Sequence, residues 1–319
     1  MLIVEEAALR AAITPEHAVG VIREAFRADG EGRTHVPPVI NLDVPHGEFH
    51  IKTAHITGVP HIAVKIASGF YGNALRGLPT GSGLMALFDA ETGLPAALLL
   101  DNGYLTDVRT GAAGAVAADY LARADVDIVG VIGSGVQARH QVRCLRVVRS
   151  FTRIIAWSPN AEHLRAYCDE MGREGFDATP AANVEQVCAV ADVVITATPS
   201  REPLVRAEWL QDGTHVNAVG SDTPGKQELN SFCLIRADVV AVDRLSQCSS
   251  FGELKYALDA GMKGEPIQLG QIVAGLRTGR TNPKQITIAD LTGVGFQDTA
   301  IASAALALTS RTSHVAHST

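Results

Sequence analysis

The segment that most constrains the fold is a short apolar run followed at once by closely spaced small residues. Residues 128–132 read Ile-Val-Gly-Val-Ile, and Gly133-Ser-Gly135-Val-Gln-Ala138 follows before a region typical of a helix. In such a loop the first glycine permits a tight turn, the second lets the backbone approach a pyrophosphate, and the third small residue lets the helix pack near the strand. The free N–H groups of the helix favour phosphate. The pattern predicts a dinucleotide site, with a structural glycine turn as the alternative.

The rest of the chain contains two kinds of sequence pattern. From residue 126 onward, apolar runs of strand length alternate with helical segments, which predicts a doubly wound parallel sheet. Residues 35–100 contain strand-like runs punctuated by Gly, Pro and Asp, which favours an antiparallel or mixed sheet. A small-residue helix is predicted over 110–122 and a buried one over 298–308. The expected fold class is α/β: a Rossmann-type sheet plus a smaller α+β domain.

The choice of cofactor depends on the end of the second predicted strand, Trp157-Ser158. An acidic residue there would bind the ribose 2′-hydroxyl, and an arginine would favour a 2′-phosphate. Ser158 is neither, and without a cation NAD is favoured over NADP, which stays open. The nicotinamide half is expected near residues 196–200. The candidate cofactor-binding residues are Thr110, Gly133, Gly135, Val136, Gln137, Ala138, Trp157, Ser158, Thr196, Thr198, Val219, Ser221 and Asp222.

Composition narrows the class of partner. The chain carries a net charge of −7 with a pI near 5.9, which argues against nucleic acid or an anionic membrane as a partner. The five cysteines form no C-x-x-C pair, and no Cys/His spacing suits a metal. The N-terminus lacks a basic region before an apolar stretch, and no run is long enough to span a membrane. A cytoplasmic protein with reduced thiols and no metal is expected.

Charged residues within apolar segments are the candidates for chemistry, because a buried charge is costly unless it is paired or used. Lys65 lies in an apolar strand, Arg109 precedes the small-residue helix, and Asp222 follows a strand end; Lys52 and His55 share another strand. Each has a simpler explanation: a lysine reaching water, an ion pair at a helix start, a turn aspartate, or a strand with one face in solvent.

Together these segments resemble the ornithine cyclodeaminase/mu-crystallin family over nearly the whole chain. The resemblance is carried by four stretches that read LLDNGYLTDVRTGAA at 99–113, VIGSGVQA at 131–138, THVNAVGSDTPGKQEL at 214–229 and LTGVGFQDTA at 291–300.

The resemblance implies a homodimer with two domains per chain. Residues 1–112 with 299–319 would form the substrate-binding and dimerisation domain, and residues 113–298 the dinucleotide-binding domain. Lys65 and Arg109 would bind the substrate carboxylate, and Asp222 would act at the nitrogen. Lys65 and Asp222 are therefore the candidate catalytic residues. Family activities are either cyclodeamination with release of ammonia, or net redox as in imine reductases and alanine dehydrogenase.

One departure from the family pattern bears on the substrate. Several relatives have a basic residue where this chain has Ile40, while Lys52 and His55 stand where relatives often have Met and Tyr. We infer that Lys52, Lys65, Arg109 and His55 contact the substrate. One α-carboxylate needs about two cationic partners, so a third cation suggests a dicarboxylic imine. The best candidate is iminosuccinate, reduced to L-aspartate; the alternatives are an ornithine- or ectoine-type cyclodeaminase, alanine dehydrogenase, or a non-enzymatic dinucleotide-binding protein.

Overall fold

The computed structural model describes residues 1–315, apart from the side chains of Ala74 and of residues 311–315. The chain divides into two compact units, which we call unit 1 and unit 2. Unit 1 comprises residues 1–109 and the chain from Val294 onward, and unit 2 comprises residues 110–293. The predicted boundaries were 112 and 298. The C-terminal segment joins unit 1 earlier than predicted because its helix begins at Gly295 and Phe296 packs edge-on against Phe26, with ring centroids 5.4 Å apart.

Unit 1 combines one mixed sheet with several helices. The helices are α1 (Glu6–Ala12), α2 (Pro15–Gly30) and the C-terminal α11 (Gly295–Val315). The strands are β1 (Leu2–Glu5), β2 (Thr34–His35), β3 (Ile40–Val44), β4 (Gly47–Ile56), β5 (His61–Gly69), β6 (Gly81–Asp89) and β7 (Pro95–Leu100).

The sheet of unit 1 runs in the order β1-β7-β6-β5-β4-β2, with β3 also paired to β4. All neighbours are antiparallel except β1 and β7. In β5 and β6 the buried residues recur at every second position, as in Ala63 and Lys65 or Met85 and Leu87. This alternation gives the sheet one buried face.

Unit 2 is a parallel sheet flanked by helices. Its strands are β8 (Ile128–Ile132), β9 (Arg153–Trp157), β10 (Asp177–Pro180), β11 (Val193–Thr196), β12 (His215–Ala218), β13 (Val239–Val242), β14 (Ile267–Gln268) and β15 (Thr287–Asp290). Its helices are α4 (Val136–Val148), α5 (Ala161–Arg173), α6 (Val184–Val190), α7 (Ser231–Arg236), α8 (Leu245–Cys248), α9 (Glu253–Asp259) and α10 (Leu269–Val273). Helix α3 (Tyr104–Leu121) contains the boundary with unit 1.

The strand order of unit 2 is β10-β9-β8-β11-β12-β15-β13-β14, with every pair parallel. The α/β prediction with a doubly wound sheet is confirmed. The chain moves outward from β8 through β9 to β10 and then returns to β11 on the other side of β8. Such a reversal opens a crevice beyond the carboxyl ends of β8 and β11, where ligands of open α/β sheets bind.

Two details differ from the sequence prediction. Helix α3 starts at Tyr104 rather than near Thr110, so Arg109 lies inside the helix and not before it. The earlier start is made possible by Asn102 and Gly103, which adopt positive φ, and by Asp101, whose carboxylate accepts from the Leu105 amide at 2.9 Å. Strands β10 and β14, with four and two residues, were not predicted.

No helix among residues 1–315 is long and apolar enough to cross a membrane. Within the same range, no group of three or more His, Cys, Asp or Glu side chains could hold a metal ion. All five cysteines are buried and free.

Candidate active site

The loop after β8 requires glycine at its first position. Gly133 has a φ of 121°, and a Cβ there would lie 2.5 Å from the carbonyl oxygen of Ala197. The Gly133 amide donates to the carbonyl of Trp157 at 2.8 Å. The loop is therefore tied to the end of β9 and packed against the chain after β11, with no room for a side chain.

Helix α4 begins with amide groups that no N-cap side chain satisfies. Its N-cap residue is Gly135, and a Cβ there would meet no atom within 4 Å. Val136 is 54% exposed, Gln137 is half-buried, and Ala138 is fully buried against the sheet. An uncapped helix of 13 residues that starts in open space at a strand end fits the phosphates of a dinucleotide.

Arg139 stabilises the same loop through hydrogen bonds to its carbonyl groups. Its Nη1 donates to the carbonyls of Ser134 at 2.6 Å and Gly135 at 3.0 Å, and its Nε donates to Glu170 at 2.8 Å. The guanidinium thus occupies the carbonyl side of the loop, while the amide side stays open to an anion. The sequence analysis did not select Arg139.

Ser158 stands at the end of β9, where a carboxylate that binds ribose is common. The Ser134 hydroxyl donates to the Ser158 hydroxyl at 2.9 Å, and Ser158 is half-buried. Asn160 then caps α5 by accepting from the Glu162 and His163 amides at 2.9 Å. The two hydroxyl groups can contact a ribose, and the preference for NAD over NADP stays a prediction.

The carboxyl ends of β11 and β12 are cross-linked by Glu228, which the sequence analysis did not select. Its carboxylate accepts from the Thr196 hydroxyl at 2.7 Å, from the Thr198 amide and hydroxyl at 2.6 and 2.7 Å, and from the Gly220 amide at 2.8 Å. Burial raises the pKa of Glu228, and the hydrogen bonds from Thr196 and Thr198 oppose that rise. Both threonines, predicted to contact the cofactor, therefore donate their hydroxyl hydrogens to protein.

Asp222 lies in the loop after β12. Its side chain is 44% exposed, and its carboxylate is 2.8 Å from the ammonium of Lys226, which is nearly buried. The Ser221 hydroxyl donates to the Lys226 carbonyl at 2.7 Å, and Val219 is buried. Both the turn and the catalytic interpretation of Asp222 fit this geometry.

Thr110 is half-buried in α3, and its carbonyl accepts from Gln141 of α4 at 2.9 Å. The next residue, Gly111, allows α3 and α4 to touch, since a Cβ there would lie 2.5 Å from the carbonyl oxygen of His140. Thr110 is thus placed by close packing of two helices.

In unit 1, Lys52 and Lys65 stand directly opposite each other on β4 and β5. Their side chains belong to the buried face of the sheet, and the two residues are only 8% and 2% exposed. Directly opposed like charges are unfavourable, and each would be expensive to bury alone. The pair therefore requires a nearby anion.

Asp298 in the first turn of α11 supplies an anion. Its carboxylate is 3.1 Å from the Lys65 ammonium and 2.9 Å from the Arg109 guanidinium, and its side chain is fully buried. The preceding residue, Gln297, accepts from Arg109 Nη1 at 2.8 Å. The structure thus brings Lys52, Lys65 and Arg109 together, as expected, around a carboxylate that was not selected.

The pKa of Lys65 is lowered to about 7, mainly by burial and further by the positive charges of Arg109 and Lys52, while Asp298 raises it. Asp101 also lies within electrostatic reach of Lys65, and burial raises the pKa of its carboxyl. Near neutral pH, Lys65 can therefore either carry a charge to bind an anion or exchange a proton.

The structure separates His55 from the lysines. Residues 52, 54 and 56 of β4 are buried, whereas His55 is half-exposed and points to the other face. It pairs with His35 of β2. Because side chains alternate along a strand, His55 cannot join Lys52 on the same face, and we leave it out of the substrate site.

The comparison with protein families agrees with this geometry. The family model of the ornithine cyclodeaminase/mu-crystallin family matches residues 2–307. The chain belongs to this family. Two relatives at 44% identity have provisional names only: a dehydrogenase of Rhizobium meliloti (96% of this chain, 95% of the relative) and a cyclodeaminase of Sinorhizobium fredii (90% and 89%). Alanine dehydrogenase of Archaeoglobus fulgidus is 38% identical over 94% of this chain and 92% of its own.

Two solved structures of family members match the whole fold. An archaeal alanine dehydrogenase dimer with bound NAD has a TM-score of 0.92 at 35% identity, covering 98% of this chain and 97% of its own. The iminosuccinate reductase of Paracoccus denitrificans in complex with NAD+ has a TM-score of 0.89 at 31% identity, with the same coverage. Family members thus include imine reductases, cyclodeaminases and alanine dehydrogenase.

Proposed function

We propose that this protein is an NAD(H)-dependent oxidoreductase acting on the C=N or CH–NH2 group of a small amino acid, and that it reduces iminosuccinate to L-aspartate. The observation that carries the proposal is the charge of the buried cluster in unit 1. Lys52, Lys65 and Arg109 are gathered beside the carboxylate of Asp298, with Asp101 within electrostatic reach of Lys65, so three cationic groups are concentrated where an anion could bind.

Three cationic groups suit a substrate with two carboxylates, since one α-carboxylate needs about two such partners. A bound dianion would also raise the pKa of Lys65 from about 7, because an opposite charge favours the charged form. Substrate and cluster would therefore stabilise each other's charged states.

The residues of unit 2 fit a dinucleotide. Helix α4 starts uncapped at Gly135, and Gly133 makes the turn that only glycine accepts. The Ser134–Ser158 hydroxyl pair lies at the end of β9, where folds of this class commonly bind the ribose. We propose NAD as the cofactor, with NADP as the weaker alternative, since Ser158 provides no positive charge for a 2′-phosphate. The cofactor-bound relatives support NAD.

When bound, NADH supplies the hydride that the imine carbon accepts. In the proposed mechanism, Lys65 and Arg109 bind the α-carboxylate, Lys52 binds the second carboxylate, and this fixed orientation provides much of the rate gain. Asp222 accepts a hydrogen bond from the protonated nitrogen. If the imine enters neutral, Lys65, with its pKa near 7, donates the proton that the nitrogen requires.

Alanine dehydrogenase activity is the second candidate, and a specific observation favours it. With Lys65 neutral, as its pKa of about 7 allows, Lys52 and Arg109 are the two cationic groups left, which suits a single carboxylate. The protonation of Lys65 in the complex therefore decides between a monocarboxylic and a dicarboxylic substrate.

The test supplies NADH with imines formed in situ from ammonia and either oxaloacetate or pyruvate. We expect NADH loss equal to aspartate formed, with kcat/KM at least tenfold higher than for the pyruvate-derived imine. Preference for pyruvate would establish the alanine reaction. Ammonia release from ornithine at catalytic NAD, without net NADH change, would assign the protein to the cyclodeaminases.

We also propose that two copies associate through the outer face of the unit 1 sheet. That face carries Ile62, Val64, Ile66, Leu84 and Ala86, which are half-buried or exposed in one copy. A continuous apolar face on a sheet favours an interface. Light scattering should give a mass twice that of one chain, which is 33.6 kDa. Val64→Lys should reduce the measured mass to that of one chain. Leu276→Lys, at an exposed position of unit 2, should leave the mass unchanged.

A further inference from the structure

The first turn of α11 touches both cations expected to bind the substrate carboxylate. Asp298 reaches Lys65 of β5 at 3.1 Å and Arg109 of α3 at 2.9 Å, and Gln297 accepts from Arg109 at 2.8 Å. Gln297 and Asp298 are both fully buried. Two adjacent residues of one helix thus fix groups that come from two other elements.

We propose that Gln297 and Asp298 are positioning residues for the substrate carboxylate, because they hold the Lys65 and Arg109 head groups side by side before substrate arrives. The proposal rests on the proposed function only for the identity of the anion. Free lysine and arginine side chains lose rotamer entropy when they are fixed. Here that loss occurs on folding, so the substrate does not have to compensate for it.

Gln297 provides a second, independent sign of a ligand. Its Oε1 is used by Arg109, but its buried Nε2 makes no hydrogen bond within the described part of the chain. A buried donor without an acceptor is unfavourable, because it has lost its hydrogen bonds to water. A carboxylate oxygen bound at Lys65 and Arg109 is an acceptor of the right charge, and we assign Gln297 Nε2 to it.

Asp298 also controls the charge of its neighbour. The groups that face Lys65 are Arg109 on α3, Lys52 on β4, Asp298 on α11 and, at longer range, Asp101. Arg109 and Lys52 lower the pKa of Lys65, while Asp298 raises it. Removal of the Asp298 charge should therefore leave Lys65 neutral at pH 7, where the wild-type lysine is about half protonated.

The first test measures Lys65 without any substrate. Lysine labelled with carbon-13 at Cε is titrated by NMR, and the Lys65 signal is assigned by its loss in Lys65→Met. We expect a midpoint near pH 7 in the wild type and a fall of at least one pH unit in Asp298→Asn. Ser303→Ala is the matched control, since it removes a polar contact of the same helix, to His61 at 2.9 Å. An unchanged midpoint in Asp298→Asn overturns the proposal.

The second test is kinetic. A fall of one unit in the pKa of Lys65 would lower kcat/KM relative to wild type by about tenfold at pH 8 and about twofold at pH 6. The ratio of variant to wild type cancels the pH dependence of imine formation. Gln297→Met should raise KM and leave kcat within about twofold. A ratio independent of pH would reduce Asp298 to a structural residue. If the wild type reduces no imine, the proposed function fails, while the NMR result still decides the positioning role.

Instability of Asp298→Asn, in which Lys65 and Arg109 lose their buried carboxylate partner, would not prevent a decision. In that case thermal unfolding is compared for Lys65→Met, Asp298→Asn and the double variant. The double variant should unfold at a higher temperature than Asp298→Asn alone. Additive losses, which indicate independent sites, would overturn the pairing.

Discussion

Lys52 and Lys65 face each other across the β4–β5 pair, and both are buried on the same side of the sheet. The Asp298 carboxylate accepts from Lys65 at 3.2 Å and contacts Arg109 at 2.9 Å, so two further charged groups lie beside the opposed lysines. A protein gains no stability from such an arrangement. We therefore attribute it to the binding of an anion.

Lys52→Met separates the stability of this cluster from its function. The variant should raise KM for the oxaloacetate-derived imine at least tenfold and leave the pyruvate-derived imine within about twofold. Removal of a like charge should also raise the free energy of unfolding by about 1 kcal/mol, measured by urea denaturation. Lys263→Met, at an exposed position, is the control. Equal losses for both imines would remove the second-carboxylate argument.

The pH dependence should follow Lys65. Its charged form binds the carboxylate, so the ratio of kcat/KM in wild type to that in Lys65→Arg should fall as the pH rises through about 7. The guanidinium of Lys65→Arg stays charged, and the ratio cancels the pH dependence of imine formation. A ratio that is flat between pH 6 and 8.5 would contradict the assignment.

The same shift predicts a change in stability. Between pH 7 and 10.5 the unfolded chain keeps a proton on Lys65 that the folded protein has lost, so the free energy of unfolding should rise with pH in this window. The free energy of unfolding of wild type and of Lys65→Met is measured by denaturation at pH 7 and pH 9.5. Its increase between these two pH values should be larger in the wild type than in Lys65→Met.

Local signals in the sequence were sufficient for the fold. The run of residues 128–138 predicted β8, the glycine loop and the start of α4. The face of His55 was also predictable, since residues 52 and 55 differ by an odd number and must point to opposite faces of a strand. Helix α3 was predicted six residues short because its first turns carry the polar residues Thr106, Asp107 and Arg109.

Partners distant in sequence could not be predicted from a single chain. Asp298 contacts Lys65 across 233 positions, and nothing local distinguishes it from an aspartate in the first turn of an ordinary helix. Glu228 is similar: its acceptor role depends on the adjacency of β11 and β12, whose ends are separated by more than twenty residues. Both carboxylates act through tertiary contacts, which periodicity does not indicate.

Glu228→Gln tests the cross-link between β11 and β12. An amide has one acceptor oxygen, and its NH2 group would face donors from Thr198 or Gly220. Each buried donor left unsatisfied costs about 1–3 kcal/mol. We expect a lower melting temperature and an NADH Kd raised about tenfold, measured by fluorescence titration. Glu162→Gln, at an exposed position, should change neither. An unaltered Kd would show that the cross-link does not shape the cofactor site.

His215 should make the protein sensitive to acid. It is fully buried between Thr287 and Asn217, at 2.9 and 3.0 Å, and burial lowers its pKa from 6.5 to about 3. Between pH 6.5 and 3, the unfolded chain therefore takes up a proton that the folded protein does not. As the pH is lowered through this range, the free energy of unfolding decreases by up to about 1.4 kcal/mol per pH unit. His215→Gln should flatten this slope, and exposed His163→Gln should keep it. Identical slopes would exclude His215 as the source.

Asp222 offers the sharpest separation of a catalytic residue from a turn residue. Its side chain is 44% exposed and pairs with Lys226 at 2.8 Å, so Asp222→Asn should fold normally. If the carboxylate stabilises the protonated nitrogen, kcat should fall by about a hundredfold or more, with the NADH Kd within about twofold. Asp259→Asn is the matched control, because Asp259 pairs with Lys255 at the same spacing of four residues, at 2.7 Å. Unchanged kcat in Asp222→Asn would show that Asp222 is a turn residue. Lys65 would then be the candidate for all proton transfer to the substrate.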